Sequence, residues 1–190
     1  MRQLFTALRA IAILTVVLGI GYPLVITGIG QLAFNHGANG SLIRVDGAAV
    51  GSALLGQSFT DADGVALPEW FQSRPSATGY DGGASSGSNY GPENPDLLAA
   101  IEARRETIER LDDAAAIPPD ALTASGSGLD PHISPEYALL QVPRVAAARD
   151  LPENAVRDLV ESMIQGRDLG FLGEPTVNVL QLNIALSDLG

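Results

Sequence analysis

Ser125, Ser127, Asp130 and His132 fall within eight positions and supply the residue types of a hydrolase triad: a hydroxyl nucleophile, an imidazole base and a carboxylate to orient it. The spacing argues against that chemistry. Triad members converge from separate parts of a chain, because nucleophile, base and orienting acid must approach from different directions, and no G-x-S-x-G elbow precedes either serine. Asp130-Pro131 reads more simply as a turn, with His132 just ahead of a helix cap at Ser134. Two Gly/Ser-rich loops, 79–92 and 123–132, have the bare amides that cradle anions. Neither follows a strand and opens a helix with a Walker lysine, so turns or a partner contact are the better reading. Arg74, beside the aromatic pair Trp70 and Phe71, is expected to pair with a local carboxylate or main-chain carbonyl, with a partner contact as the alternative.

Composition narrows the chemistry further. The chain has no Cys, which removes disulfides, thiol nucleophiles and Cys-ligated zinc. All 11 basic residues are Arg, so a P-loop lysine, a Schiff-base lysine and a Ser-Lys dyad are excluded together. His36 and His132 are the only imidazoles, too few for a His-rich metal site within one chain. With 22 acids the net charge is −11, which repels nucleic acid. The charge is uneven: the first 35 residues hold Arg2 and Arg9 and no acid, while the remainder sets 9 Arg against 22 acids, a balance of −13.

That asymmetry marks two differently solvated segments. Positions 10–34 carry no formal charge, and 25 residues of helix at ~1.5 Å each extend about 37 Å, enough to cross a ~30 Å hydrocarbon core. A cleavable signal peptide is the competing reading, but its apolar region is usually ~7–15 residues, and no convincing A-x-A site follows. Arg2 and Arg9 flank the N-terminal end and the next basic residue is Arg44, so the positive-inside rule puts residues 1–9 in the cytoplasm and 36–190 on the outer face. On a uniform 100° wheel Ala12, Thr15, Gly19, Pro23, Thr27 and Gly30 form one small-residue stripe suited to packing against other helices, with Gly21 and Gly28 nearly opposite.

The elements that position the loops follow from periodicity and caps. Residues 36–190 read as one compact α+β domain of short strands and three or four helices. Segments 41–45 and 53–59 read as strands or extended chain. Trp70 and Phe71 are expected to plug the core. Asn94-Pro95 opens a helix reaching about Leu111, with Leu97, Ile101, Ile108 and Leu111 on one face and a Glu106–Arg110 pair. Pro118-Pro119 breaks the chain. Ser134-Pro135 opens a second helix that Pro143 is expected to kink or split. A third, over 152–165, buries Val156, Leu159, Val160 and Met163 and stops at Gly166. Alternation over 176–180 predicts a strand, followed by a last helical turn or two through Leu189.

The order of several strings along nearly the whole chain resembles the C subunits of the Kdp potassium-transporting ATPase, the KdpC family. The strings are Gly21-Tyr22-Pro23-Leu24, Asn39-Gly40-Ser41-Leu42-Ile43, 51–59, Arg74-Pro75-Ser76-Ala77, Gly87-Ser88-Asn89, 122–130, 141–146 and 177–183. The resemblance implies a small single-pass subunit of the cell membrane in an ATP-driven K⁺ importer. Its partners would be a channel-like potassium-binding subunit, a P-type ATPase subunit that hydrolyses ATP, and a very short membrane peptide. It implies no chemistry of its own, so no catalytic, cofactor-binding or metal-ligating residue is assigned. Two roles are implied: assembly of the complex, shielding the channel-like subunit's outer mouth, and a catalytic chaperone's effect on the ATPase subunit's affinity for ATP. An outward domain fits the second poorly. The candidate partner-contact residues are Gly19, Pro23 and Thr27 on the helix and Arg74, Ser76, Asn89, Ser125 and Asp130 on the loops. A free-standing membrane-anchored binding module, and an outer-face serine hydrolase using Ser125 and His132, remain as alternatives.

Overall fold

The structure is a computed structural model that describes residues 2–189; the two ends of the expected segments, positions 1 and 190, lie outside the described residues. The chain separates into two compact units, one ending at Ser52 and one starting at Ala53.

The first unit begins with a single helical run, Arg2–Ala33, 32 residues long and about 48 Å at ~1.5 Å per residue. It comprises α1 (Arg2–Val16), a π-helical turn (Val17–Gly21) and α2 (Tyr22–Ala33), with no buried residue on any of them. The helix starts well before residue 10 because Gln3, Leu4, Ala7 and Leu8 are good helix formers with nothing to break them. The π turn sits just ahead of Pro23, where Tyr22 N–H bonds to the Val17 carbonyl five residues back. The run stops at Phe34 (φ −135°, ψ 40°), and α3 (Asn35–Ala38) follows. The carboxamides of Asn35 and Asn39 both donate to Gln31 Oε1 at 3.0 Å, so the helix leaves its apolar stretch through a polar knot.

A hairpin completes this unit. β1 (Leu42–Val45) pairs antiparallel with β2 (Ala48–Ser52), with an irregularity between Ile43 and Arg44. Asp46 (φ 51°) and Gly47 (φ 82°) are both left-handed, the two-residue turn that matches strand twist. The second strand therefore lies at 48–52, and of the two readings of 53–59, strand or extended chain, the strand does not hold. Residues 53–59 are occupied elsewhere: Ala53 O accepts from Asn178 Nδ2 (2.9 Å), Gly56 N–H donates to Leu129 O (2.8 Å), and Gln57 O accepts from Ser73 Oγ (2.9 Å). Residues 36–52, expected in the outer domain, group instead with the helical unit, where Ser52 Oγ ties back to Gly40 O at 2.7 Å.

The second unit is mixed α and β. Its long helices are α4 (Pro95–Asp112), α6 (Pro135–Arg149), α7 (Glu153–Ser162) and α8 (Val179–Ser187), with a short α5 (Pro119–Leu122). Two-residue strands β3 (His132–Ile133) and β4 (Val177–Asn178) pair antiparallel. The caps match the sequence reading: Asn94 Oδ1 accepts from Asp96 N–H at 2.7 Å, and Ser134 Oγ from Tyr137 N–H at 3.1 Å. α6 packs against α4 and α7, and α7 against α8. Their apolar faces meet at Val142, Val145, Val156, Val160, Leu182 and Leu186, all fully buried.

Several expectations need correcting. Pro143 does not split α6, which is continuous from Pro135 to Arg149. α7 ends at Ser162, capped by Met163, and not at Gly166, because Gln165 pairs with Thr176 in both directions (2.8 and 3.0 Å) and draws the chain out of the helix. Val179 and Leu180 are helical, not strand: Asn178 Oδ1 caps α8 by accepting from Gln181 N–H at 3.1 Å. Arg110 donates to the Glu106 main-chain carbonyl (3.0 Å) and not to its carboxylate. Of the aromatic pair, Phe71 is fully buried, whereas Trp70 is half-buried under the Arg149 guanidinium, 4.2 Å from its ring.

The chain before α4 is fastened to this core by polar side chains. Asn183 receives Phe71 N–H (2.9 Å) and donates to Phe71 O (3.0 Å). Gln141 does the same for Gln72, at 2.6 and 3.1 Å. Arg144 pairs through Nε with Asp112 (2.7 Å), and donates to the carbonyls of Pro68 (2.6 Å) and Trp70 (2.9 Å) and to Gln141 Oε1 (2.7 Å).

Candidate functional site

Four of the loop candidates come together in the second unit. Arg74 Nη1 meets Asp130 Oδ2 at 3.0 Å and Nη2 donates to Thr123 O at 3.2 Å, so it takes both partners the sequence offered, a carboxylate and a carbonyl. Arg74 Nε is out of solvent without a hydrogen bond. Asp130 Oδ1 accepts from His132 N–H at 3.0 Å. Burial alone pushes the Asp130 carboxyl up, but the hydrogen bonds from His132 and Arg74 together with the Arg74 charge outweigh it and hold it below the usual carboxylate range. The Arg74 carbonyl accepts from the Tyr80 hydroxyl at 2.6 Å, and burial raises that phenol to about 12.

Ser76 and Ser125 are the knots of the two Gly/Ser loops. Ser76 Oγ donates to Gly128 O (2.6 Å) and accepts from the N–H groups of Thr78 and Tyr80 (3.1 Å each). Ser125 Oγ accepts from Gly128 N–H at 2.9 Å, and its own N–H reaches Pro75 O at 3.3 Å. Ser127 O receives Ser86 N–H at 2.9 Å and Ser85 Oγ at 3.0 Å. Gly128 makes the join close: at φ 68°, a Cβ there would lie 2.7 Å from Ser86 O and 2.6 Å from Thr78 Oγ1. Loop groups free in the sequence are thus spent on one another.

This arrangement is a fastening and not a triad. Ser125 is buried, its hydroxyl is held by Gly128 and Ser127, and no hydrogen bond joins it to His132 among the described residues. His132 Nδ1 stands 3.5 Å from Asp130 Oδ1. No cluster of three or more His, Asp or Glu with metal-holding geometry occurs among the described residues.

Two surface recesses border the fastening. One, of about 530 Å³, is lined by Leu54, Leu55, Arg74, Ser125, Asp130 and His132 among others. The other, of about 690 Å³, lies between the Gly/Ser loops and α4, with Thr78, Asn89, Tyr90, Leu97 and Arg104 in its walls. Asn89 therefore stands apart from the clamp, exposed and left-handed at φ 55°. Arg104 on that wall donates to Leu122 O at 2.8 Å.

The helix candidates occupy the first unit and are exposed: Gly19 in the π turn, Pro23 and Thr27 on α2. Pro23, Thr27 and Gly30 keep helical phase, but the i→i+5 turn advances the chain by about one extra residue, roughly 100°, so Ala12 and Thr15 fall out of the stripe drawn on a uniform wheel.

Sequence reasoning missed Asn183, Gln141 and Asn178, which hold distant main chain. The available signal was carboxamides inside otherwise apolar runs, such as Val177–Leu186, where burial demands partners.

Comparison with known proteins agrees with the resemblance in the strings. The family model described as KdpC, K⁺-transporting ATPase c chain, matches residues 4–188. A potassium-transporting ATPase KdpC subunit of Methylococcus capsulatus is 51% identical over 188 residues, covering 96% of each chain. One from Kineococcus radiotolerans is 52% identical, covering 98% of this chain and 93% of its own, and one from Sorangium cellulosum is 54% identical, covering 95% and 94%. A match of this extent, running from the apolar helix through both fastened loops to α8, means that the chain belongs to the KdpC family of potassium-transporting ATPase subunits.

Proposed function

We propose that the chain is a non-catalytic assembly subunit of an ATP-driven potassium importer, anchored by its apolar helix with its N-terminus in the cytoplasm and residues 36–190 on the outer face. The observation that carries this is the 32-residue helix, whose 18-residue apolar window has a mean hydropathy of 2.2 and no buried share. Arg2 and Arg9 at its start and the excess of acids beyond it support the orientation. Its partners are the channel-like potassium-binding subunit, the P-type ATPase subunit and the short membrane peptide. Gly19, Pro23 and Thr27 face their transmembrane helices, and Arg74, Ser76, Asn89, Ser125 and Asp130 shape or line the outer contact. Support for a structural over a catalytic role comes from the loop hydroxyls and amides, which bind one another. An influence on ATP use then passes through the ATPase subunit, without nucleotide contact by residues 36–190.

Native extraction in mild detergent followed by identification of the co-purifying chains tests the assembly reading; recovery of this chain alone overturns it. Orientation is read with Ser86→Cys, a unique thiol at an exposed position. An impermeant maleimide is expected to label it in intact cells or spheroplasts, and labelling only after lysis reverses the topology.

A further inference from the structure

The π turn leaves one backbone acceptor without a helical donor. Tyr22 N–H is committed to the Val17 carbonyl, so the Leu18 carbonyl loses its ordinary partner four residues on. Its π-type partner would be the N–H of position 23, which is Pro and has none. Helix carbonyls point toward the side chains three and four residues ahead, which is why Ser and Thr hydroxyls reach back to them. Three ahead of Leu18 is Gly21, which has no side chain to lay over the oxygen, so only Tyr22, four ahead, brings a side chain to that side of the turn. Leu18 is also eight residues, about 12 Å, inside the charge-free stretch that begins at Ala10. No water is available at that depth, and an unpaired carbonyl in hydrocarbon costs several kcal/mol.

We infer that the Leu18 carbonyl oxygen is a docking point for a hydrogen-bond donor, a hydroxyl or carboxamide, carried on a transmembrane helix of a partner subunit. The inference rests on the assembly reading and deepens it by naming a contact. Complementarity selects the occupant: lipid tails have no donor, and headgroups stay at the interface. The missing side chain at Gly21 leaves the donor an approach beside Tyr22, and membership in a transporter complex supplies the neighbouring helices.

The test uses the full complex, co-expressed and extracted in mild detergent, with partner subunits quantified per copy of this chain. Pro23→Ala restores an N–H beneath the acceptor without adding bulk, and is expected to lower partner recovery about 3-fold, up to roughly 20-fold, the span of measured interhelical hydrogen bonds. The α-hydroxy analogue of alanine at the same position keeps the side chain but replaces that N–H with an ester oxygen; both replacements lose the Pro23 ring from the contact, and the analogue is expected to recover partners about 3-fold or more better than Pro23→Ala. Equal recovery of the two replacements, whether both reduced or both normal, overturns the inference, because they differ in that N–H and otherwise only in a weaker acceptor at the Tyr22 carbonyl, which would lower recovery of the analogue and not raise it. Recovery of a differently tagged second copy in place of other subunits also overturns it, by assigning the donor to a homodimer. A wild-type chain that recovers no partner overturns the assembly reading itself, which separates the two failures.

Discussion

Two Arg–Asp clamps hold the second unit, and their difference lies in surroundings rather than chemistry. Arg144 and Asp112 are nearly sealed, their side chains 6% and 1% exposed, and the guanidinium is engaged by a carboxylate, two main-chain carbonyls and a carboxamide. Arg74 and Asp130 keep 23% and 29% exposure, and Arg74 Nε goes unbonded. The Asp112 carboxyl is pushed up, because burial outweighs the charge and hydrogen bond of Arg144. Asp130 moves down, because its hydrogen bonds outweigh a smaller burial. The sealed clamp belongs to the core and fixes the chain near Trp70. The open one joins two surface loops and leaves their recesses accessible.

Breaking the sealed clamp is expected to have the largest effect. Arg144→Ala strands Asp112 without a counter-charge and leaves the Pro68 and Trp70 carbonyls without that donor, a loss of about 3–5 kcal/mol. Urea unfolding of the full chain in detergent checks this, and Trp70, the only tryptophan, reports from the clamp itself. A loss below 1 kcal/mol, within the range of exposed pairs, would erase the distinction between the clamps.

Next in size is Gly128→Ala, which attacks the loop fastening without touching either charge. A left-handed non-glycine residue costs about 1–2 kcal/mol, and the added methyl meets Ser86 O at 2.7 Å, so a total of about 2–3 kcal/mol is expected in the same unfolding experiment. Partner recovery from the complex should fall with it if the loops form the outer contact. Arg74→Ala is milder, about 1–2 kcal/mol, because it removes one hydrogen-bonded ion pair and one carbonyl contact from a site water can enter.

The sealed and open regions were unequally legible. Asn94 and Ser134 announced their helices because a cap is a local bargain between a side chain and amides two or three residues on. The α7 face was readable for the same reason: Val156, Leu159, Val160 and Met163 share a period. Asp46-Gly47 also carried a local hairpin signal, although the reading of 53–59 as strand or extended chain passed over the strand at 48–52. What was illegible was long-range. Arg74 finds Asp130 56 positions away, and Phe71 finds Asn183 across 112. Residue type says that such a group needs a partner, and only the packed helices decide which one. The Ser125–His132 cluster makes the converse point: its closeness in sequence argued against a triad, and no hydrogen bond joins the two side chains among the described residues.

The smallest expected effect is in the pH dependence, where the clamps should differ in sign. Asp130 has its folded pKa below the unfolded value of ~3.9, so its stabilisation is present above that value and is lost as pH falls through the folded pKa. Asp112 has its folded pKa raised, so the folded chain holds its proton more tightly. Its contribution is complete below ~3.9 and disappears as pH rises through the raised folded value. Acidification from neutrality therefore first relieves Asp112 and then weakens Asp130. Subtracting each variant's urea stability from the wild type's at matched pH cancels the other carboxylates common to both. For Asp130→Asn the difference is expected to shrink below about pH 4, where the wild type has also lost the charge. For Asp112→Asn the wild type should gain on the variant as pH falls toward 4. Two differences of the same sign would show that exposure does not separate the clamps, and that Arg144 balances Asp112 as fully as Arg74 balances Asp130.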